Sequence, residues 1–260
     1  MRVPTTPRRL AGAVGMAVAL GALAATYGLS SSSASSLLAN ARRSLESAKT
    51  YDVDVSFKSS RSGPFTPVLH AEIDVPQHLT LETLHLGVLP LRMLFTPHRF
   101  YIQAPTITSS ASSSAIWYAL PQKGVTASIG SASSNLGQLL SSFVHPKLDG
   151  HVVVRGQTCT LITASTSLAS FEKSLGTTFQ TSGEQPVGGV TVDVAISPAG
   201  YPLRVVERVN AGHLHEIVMA NFSNFGAPLH ITVPSPSHIK KLSAAQLAYL
   251  FGALFTSAGR

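Results

Sequence analysis

Charge is what this chain has least of. Only 12% of its 260 residues are Asp, Glu, Lys or Arg, about half the usual share, against 44% apolar residues. Such a chain can bury a large core and has apolar surface to spare. It has no dense Lys/Arg run with interleaved aromatics, so the footprint of a nucleic-acid binder is missing. A single cysteine, Cys159, excludes an intrachain disulfide. Between Thr158 and Thr160 it reads as a small buried residue; a nucleophile would need a base and an electropositive setting that its neighbours do not supply. Gly-x-Ser-x-Gly, Walker A, His-Glu-x-x-His and Cys-x-x-Cys are all missing, so no enzyme class and no cofactor is indicated. The one tryptophan, Trp117, reads as a core or edge residue. His213 and His215 would point to one face of a strand, as a metal pair requires. With no third ligand near them in sequence, a surface pair is the better reading.

Residues 1–34 carry no acid and read as an export signal. Arg2, Arg8 and Arg9 form a positive start, Ala11 to Leu29 an apolar stretch, and Ser32-Ser33-Ala34 a small-residue cleavage site. The stretch at 11–29 is also just long enough to serve as a retained membrane anchor. Without this segment the formal charge of +7 falls to +4, which permits mild attraction to an anionic membrane surface.

The most regular stretch runs from Gly188 to Pro234. Val190, Val192, Val194 and Ile196 alternate with Thr191, Asp193 and Ala195, the period of a half-buried strand. Ser197-Pro198-Ala199-Gly200 is a turn, followed by a run from Leu203 to Val209, the turn Asn210-Ala211-Gly212, and a run from Leu214 to Phe222. Connections this short require antiparallel strands. Asn224-Phe225-Gly226-Ala227-Pro228 and a short apolar run (Leu229, Ile231, Val233) close the unit.

Gly200-x-Pro202, the Asn224–Pro228 segment and the "ITVPSPSHI" that follows resemble the C-terminal half of the LprG/LppX-type envelope lipid-carrier lipoproteins of actinobacteria. That family is related to the LolA/LolB carriers. "LLANARRSLESAKTYDVDVSF" resembles the family's opening helix and first strand, "HRFYIQAP" and "SAIWYAL" its central strand pair. "LLSSFVHPKLDGHVVVRGQTCTLITAS" resembles its middle helix and next hairpin. Coverage is roughly residues 36 to 240. The chain departs from the family at the lipidated cysteine: Leu29-Ser30-Ser31-Ser32 stands there, and no cysteine precedes position 159. A diacylglycerol anchor is therefore not expected.

The rest of the chain fits one α+β domain over residues 36–240. Leu37, Leu38, Ala41, Leu45 and Ala48 stripe a first helix. Tyr51, Val53, Val55 and Phe57, then Leu69, Ala71, Ile73 and Val75, alternate as strands. Between Leu79 and Phe95 the parity slips, which predicts a bulge or bend near Thr83. Phe100, Ile102, Ile116, Tyr118 and Leu120 complete the first strands. Leu136, Leu139, Leu140, Phe143 and Val144 predict a helix near 135–144 that Pro146 ends; Leu168, Phe171 and Leu175 predict another near 167–175. A hairpin turning at Gly156-Gln157 lies between them. The economical architecture is an antiparallel sheet with helices gathered on one face, and the resemblance implies that it is a curved half-barrel of the LolA/LolB kind wrapped around a few helices. Residues 241–260 contain an apolar helix from Ser243 to Phe255, either docked on the domain or lying on a membrane or partner.

Export, apolar excess and the missing catalytic signatures suggest a non-catalytic protein, and the resemblance implies a carrier of acyl lipids or lipoglycans. The expected lipid-binding surface is Val53, Val55, Phe57, Ile73, Val192, Val194 and Val205 on one sheet face, with Leu136, Leu139, Leu140, Phe143, Leu168 and Phe171 on the helices. The competing expectation is a structural or signalling module of the cell envelope with a filled core and a protein partner. Either would work outside the cytoplasm, in the envelope or secreted.

Overall fold

The computed structural model describes residues 33–59, 66–86, 89–103, 116–120, 144–167, 188–211 and 214–241. It opens with helix α1, Ala34–Ser47. Ser33 caps it: its hydroxyl accepts the Ser36 amide, and the Ser36 hydroxyl donates back to the Ser33 carbonyl. Ala34, Leu38, Ala41 and Leu45 form the buried stripe that their spacing dictates, while Arg42 and Glu46 pair on the wet side. Lys49, at φ 64, turns the chain out of the helix and into the sheet.

Twelve strands then form one open, curved sheet. They are β1 (Thr50–Ser59), β2 (Thr66–Asp74), β3 (Leu79–Leu86), β4 (Leu89–Phe95), β5 (Phe100–Gln103) and β6 (Trp117–Leu120). After them come β7 (Val144–Val154), β8 (Gln157–Ser167), β9 (Gly188–Ile196), β10 (Pro202–Ala211), β11 (Leu214–Ser223) and β12 (Ile239–Lys241). Two antiparallel meanders, β1 to β6 and β7 to β11, meet where β1 pairs with β11 along Asp52↔Ser223 to Ser59↔Glu216. Among the described residues only β12 pairs in parallel, with β6. The expected fold class, a curved antiparallel half-barrel with helical cover, is what is seen.

Several details differ from the sequence reading. Val144 opens β7 instead of ending a helix, and Pro146 sits inside that strand where the register jumps from Val144 to Lys147. β7 is an edge strand, the place in a sheet where a missing backbone donor is tolerated. No bulge occurs near Thr83: β3 keeps register with both β2 and β4. The parity slip has another cause, since both faces of β3 are covered and Leu81 and Leu84 are buried on opposite sides. Leu229, Ile231 and Val233 form no strand. The first helix matches its expectation to within a turn. Of the helices expected near 135–144 and 167–175, residues 135–143 and 168–175 lie outside the described residues, as do the tail from Ser243 and residues 1–32 of the expected leader. Ser167 instead closes β8, and Ser33 and Ala34 cap and open α1. Among the described residues no helix is long and apolar enough to cross a membrane.

One corner locks the two meanders together. Thr50 accepts the Gly226 amide on its carbonyl at 2.8 Å, and its hydroxyl donates to the Ala227 carbonyl at 2.7 Å. Phe225 stacks on Tyr201 with centroids 4.4 Å apart and also meets Tyr51. Gly226, at φ +71, makes the turn that permits this. At the opposite side of the same corner Gly200, at φ +85, leaves only 3.1 Å for a Cβ before Ser44 on α1. The Gly200 and Asn224–Pro228 positions singled out in sequence are thus the clamp between helix and sheet.

Candidate functional site: the inner face of the sheet

The face that carries α1 is a single apolar cluster. It runs from Ile162 and Ala164 on β8 through Val190, Val192 and Val194, then Val205 and Val209, then Val218, Ala220 and Phe222. It continues through Val53 and Val55 to Leu69, Ala71 and Ile73, and ends at Met93 and Ile102. The alternation predicted in sequence placed these side chains correctly, because each strand offers every second residue to one face. Of the residues expected to bind lipid, Val53, Val55, Ile73, Val192, Val194 and Val205 are buried together here, with Phe57 half-buried against them. Leu136, Leu139, Leu140, Phe143, Leu168 and Phe171 lie outside the described residues.

The helix is small for the face it sits on. Fourteen residues give a cylinder ~21 Å long and ~10 Å wide. The strands from β8 to β5 span roughly 38 Å at the usual inter-strand spacing. The inner face therefore extends well beyond what α1 alone can cover.

Two carboxyl groups interrupt this apolar face, and the sequence reading missed both. Glu207 stands between Val205 and Val209 on β10, opposite Val192 and Val218. It is fully buried, and neither carboxyl oxygen has a hydrogen-bond partner. Burial pushes its pKa up to about 8. Glu82 occupies the matching kind of position on β3, opposite Ala71 and Met93, and burial raises it to about 7. A third unpartnered polar atom, the Thr166 hydroxyl oxygen, is buried at the end of β8. For Glu207 the signal was present in sequence, since it falls at an inward position between Val205 and Val209; around Glu82 the alternation is lost because both faces of β3 are covered. Near the same face the Tyr51 phenol is pushed up to about 12, first by burial and then by the nearby Glu46 charge.

The outer face treats its polar groups differently. Asp193 accepts from Arg208 and from the Thr163 hydroxyl, Asp54 pairs with His70 at 2.8 Å, and Arg204 donates to Asn221. Arg155, at the tip of the β7–β8 hairpin, reaches across to donate to the Phe222 carbonyl at 3.2 Å. Beneath that hairpin Cys159 is buried with Val154 and Ala195, and burial raises its thiol pKa, which favours the unreactive form. A second small outer cluster joins Leu81, Leu94 and Tyr101, with Trp117, Ile231 and Ile239 packed on it. His215 is exposed and pairs with Asn210, while His213 lies outside the described residues.

These features define a class: an open, curved antiparallel sheet with one apolar face turned toward helical cover. Solved structures of similar shape include lipoprotein LppX of Mycobacterium tuberculosis, at 17% identity and a TM-score of 0.47, over 76% of this chain and 98% of that one. LprF of Mycobacterium bovis matches at 16% identity and a TM-score of 0.49, over 78% and 96%. The MucA/MucB complex of Pseudomonas aeruginosa matches at 13% and 0.38, over 78% of this chain and 59% of that one. No protein-family model matches the chain, and no curated protein matches it.

Proposed function

We propose that this protein is an exported, non-catalytic carrier that holds acyl lipids or lipoglycans between its sheet and its helices for transport in the cell envelope. The observation that carries this reading is the inner face, one continuous apolar surface wider than the described helix can cover. Acyl chains need only such a surface. Each buried methylene contributes about 0.8 kcal/mol, so two long chains would be held without any directional bond. The lining consists of Val53, Val55, Phe57, Ile73, Val192, Val194 and Val205. In this reading Leu136, Leu139, Leu140, Phe143, Leu168 and Phe171 close it from the helical side.

Val194→Trp tests the proposal. In a lipid site the added bulk occupies ligand space: native mass spectrometry finds lipid on the wild type, less on the variant, and both stay folded. A second reading, an envelope interaction module with a filled core, is favoured by how completely Val55, Val190 and Val192 are buried. In that case Val194→Trp overpacks, typically at a cost of ~1–3 kcal/mol, and no lipid is found on either protein.

A further inference from the structure

The two inner-face glutamates are not used by a purely apolar carrier. A buried polar group without a partner destabilises the fold, and a leucine at the same position would remove that cost. The cost is concentrated. The described side-chain atoms that are buried and unpartnered belong to Glu207 and Thr166 alone, and both residues project from the inner face. Thr166 is paired through Val190 to Val209, one inward position from Glu207. Strand spacing and rise put the two roughly 12 Å apart on one surface. Glu82, four strands from β10 along the sheet, is the other buried carboxyl group of this face, but its oxygens are not among the buried unpartnered atoms. On the outer face, by contrast, the buried or half-buried Asp193, Asp54 and Arg204 all find partners.

We propose that Glu207 is a polar anchor for a hydroxyl group carried along the buried chain of a lipid ligand, with Thr166 a second polar point farther along the same face. This rests on the carrier reading and narrows its ligand class to long-chain lipids hydroxylated within the apolar portion. The chemistry fits the state of the acid. Flanked across the strands by Val192 and Val218 and along its own by Val205 and Val209, Glu207 has no charge beside it in the sheet. At neutral pH it is mostly protonated, so it donates one hydrogen bond and accepts others. A ligand hydroxyl, itself donor and acceptor, satisfies it without bringing charge into the interior. A saturated chain leaves it bare.

The test is a binding comparison on the full chain, using displacement of a fluorescent fatty-acid probe. The competitors are saturated long-chain methyl esters and the same esters carrying one hydroxyl at successive chain positions. A plain apolar site prefers the saturated ester, because burying an unpaired hydroxyl is unfavourable. The anchor reverses that order: at least one hydroxylated ester should bind about tenfold more tightly than its saturated parent. Glu207→Leu should restore the preference for the saturated chain, and Glu207→Gln should keep much of the reversal. If both ester classes bind but the saturated one is preferred by the wild type, the anchor is overturned and the carrier stands. If neither class displaces the probe, both readings fall. The wild-type order alone decides, so a variant that fails to fold does not blunt the test.

Discussion

The two faces of this sheet are built from the same strands and yet follow opposite rules. The outer face has small apolar clusters, each under its own piece of chain, and its charged groups pair with one another. The inner face has one large cluster and leaves its few polar groups alone. In water-facing surroundings a pairing is easily arranged and gains little. In an apolar interior an unpaired acid is expensive, so its presence marks a face shaped by something other than stability.

The sharpest way to break this contrast is pH. Glu207 ionises at about 8 in the fold, against an ordinary 4.5, so the folded state holds a proton that the unfolded chain has lost. The contribution of Glu207 to stability is therefore fully present below 4.5 and is lost as pH rises to about 8. The slope is about 1.4 kcal/mol per pH unit for each such group. Glu82 adds to that slope only up to about 7, and the half-buried Glu216 is shifted in the same direction. Urea unfolding of Glu207→Gln should lose most of the slope between about 7 and 8 and roughly half of it below. A wild type whose stability rises over this window would mean the inner acids are paired after all.

Packing should show the same asymmetry. Phe222 is fully buried on the inner face beside Tyr51, and Phe222→Ala should cost ~3–5 kcal/mol by denaturant unfolding. Ile231 lies half-buried over the outer cluster of Leu81, Leu94 and Tyr101, and Ile231→Ala should cost only about 1–2 kcal/mol. Equal losses would mean that the outer strap is as integral as the core. The smallest effect expected is at the helix start. Ser33→Ala removes one capping acceptor and should lower stability by about 1 kcal/mol, read as a small fall in Tm.

Much of the fold was legible because its strands are half-buried and period-2 alternation states which side is in. Val53, Val192 and Val205 were placed on one face from spacing alone, and the turns at Gly200 and Gly156 fixed two hairpins. Legibility ended where a strand is covered on both sides, as in β3, because alternation then disappears and imitates a bulge. It also ended at Val144 and Pro146, where helical spacing of apolar residues continued into an edge strand. For the candidate site, the shared apolar face of Val53, Val55, Ile73, Val192, Val194 and Val205 was readable and the acids were not. A glutamate in a strand is ordinarily counted with the wet face, and only the neighbours' parity reveals that Glu207 points the other way; around Glu82 even that cue is lost.

The pairing of β1 with β11 also has a consequence for how the chain is made. The first strand of the sheet lies at its middle, and one of its two neighbours is synthesised some 160 residues later. Until Leu214–Ser223 emerges, β1 presents a bare row of amides and carbonyls beside an apolar surface, a template for any other extended chain. The clamp at Thr50 closes later still, when Gly226 and Ala227 arrive. The centre of the sheet is therefore completed only once residues 214–227 have emerged. Any chain cut short before position 214 would carry an open seam through its centre, a natural foothold for chaperones during synthesis and for aggregation when they fail.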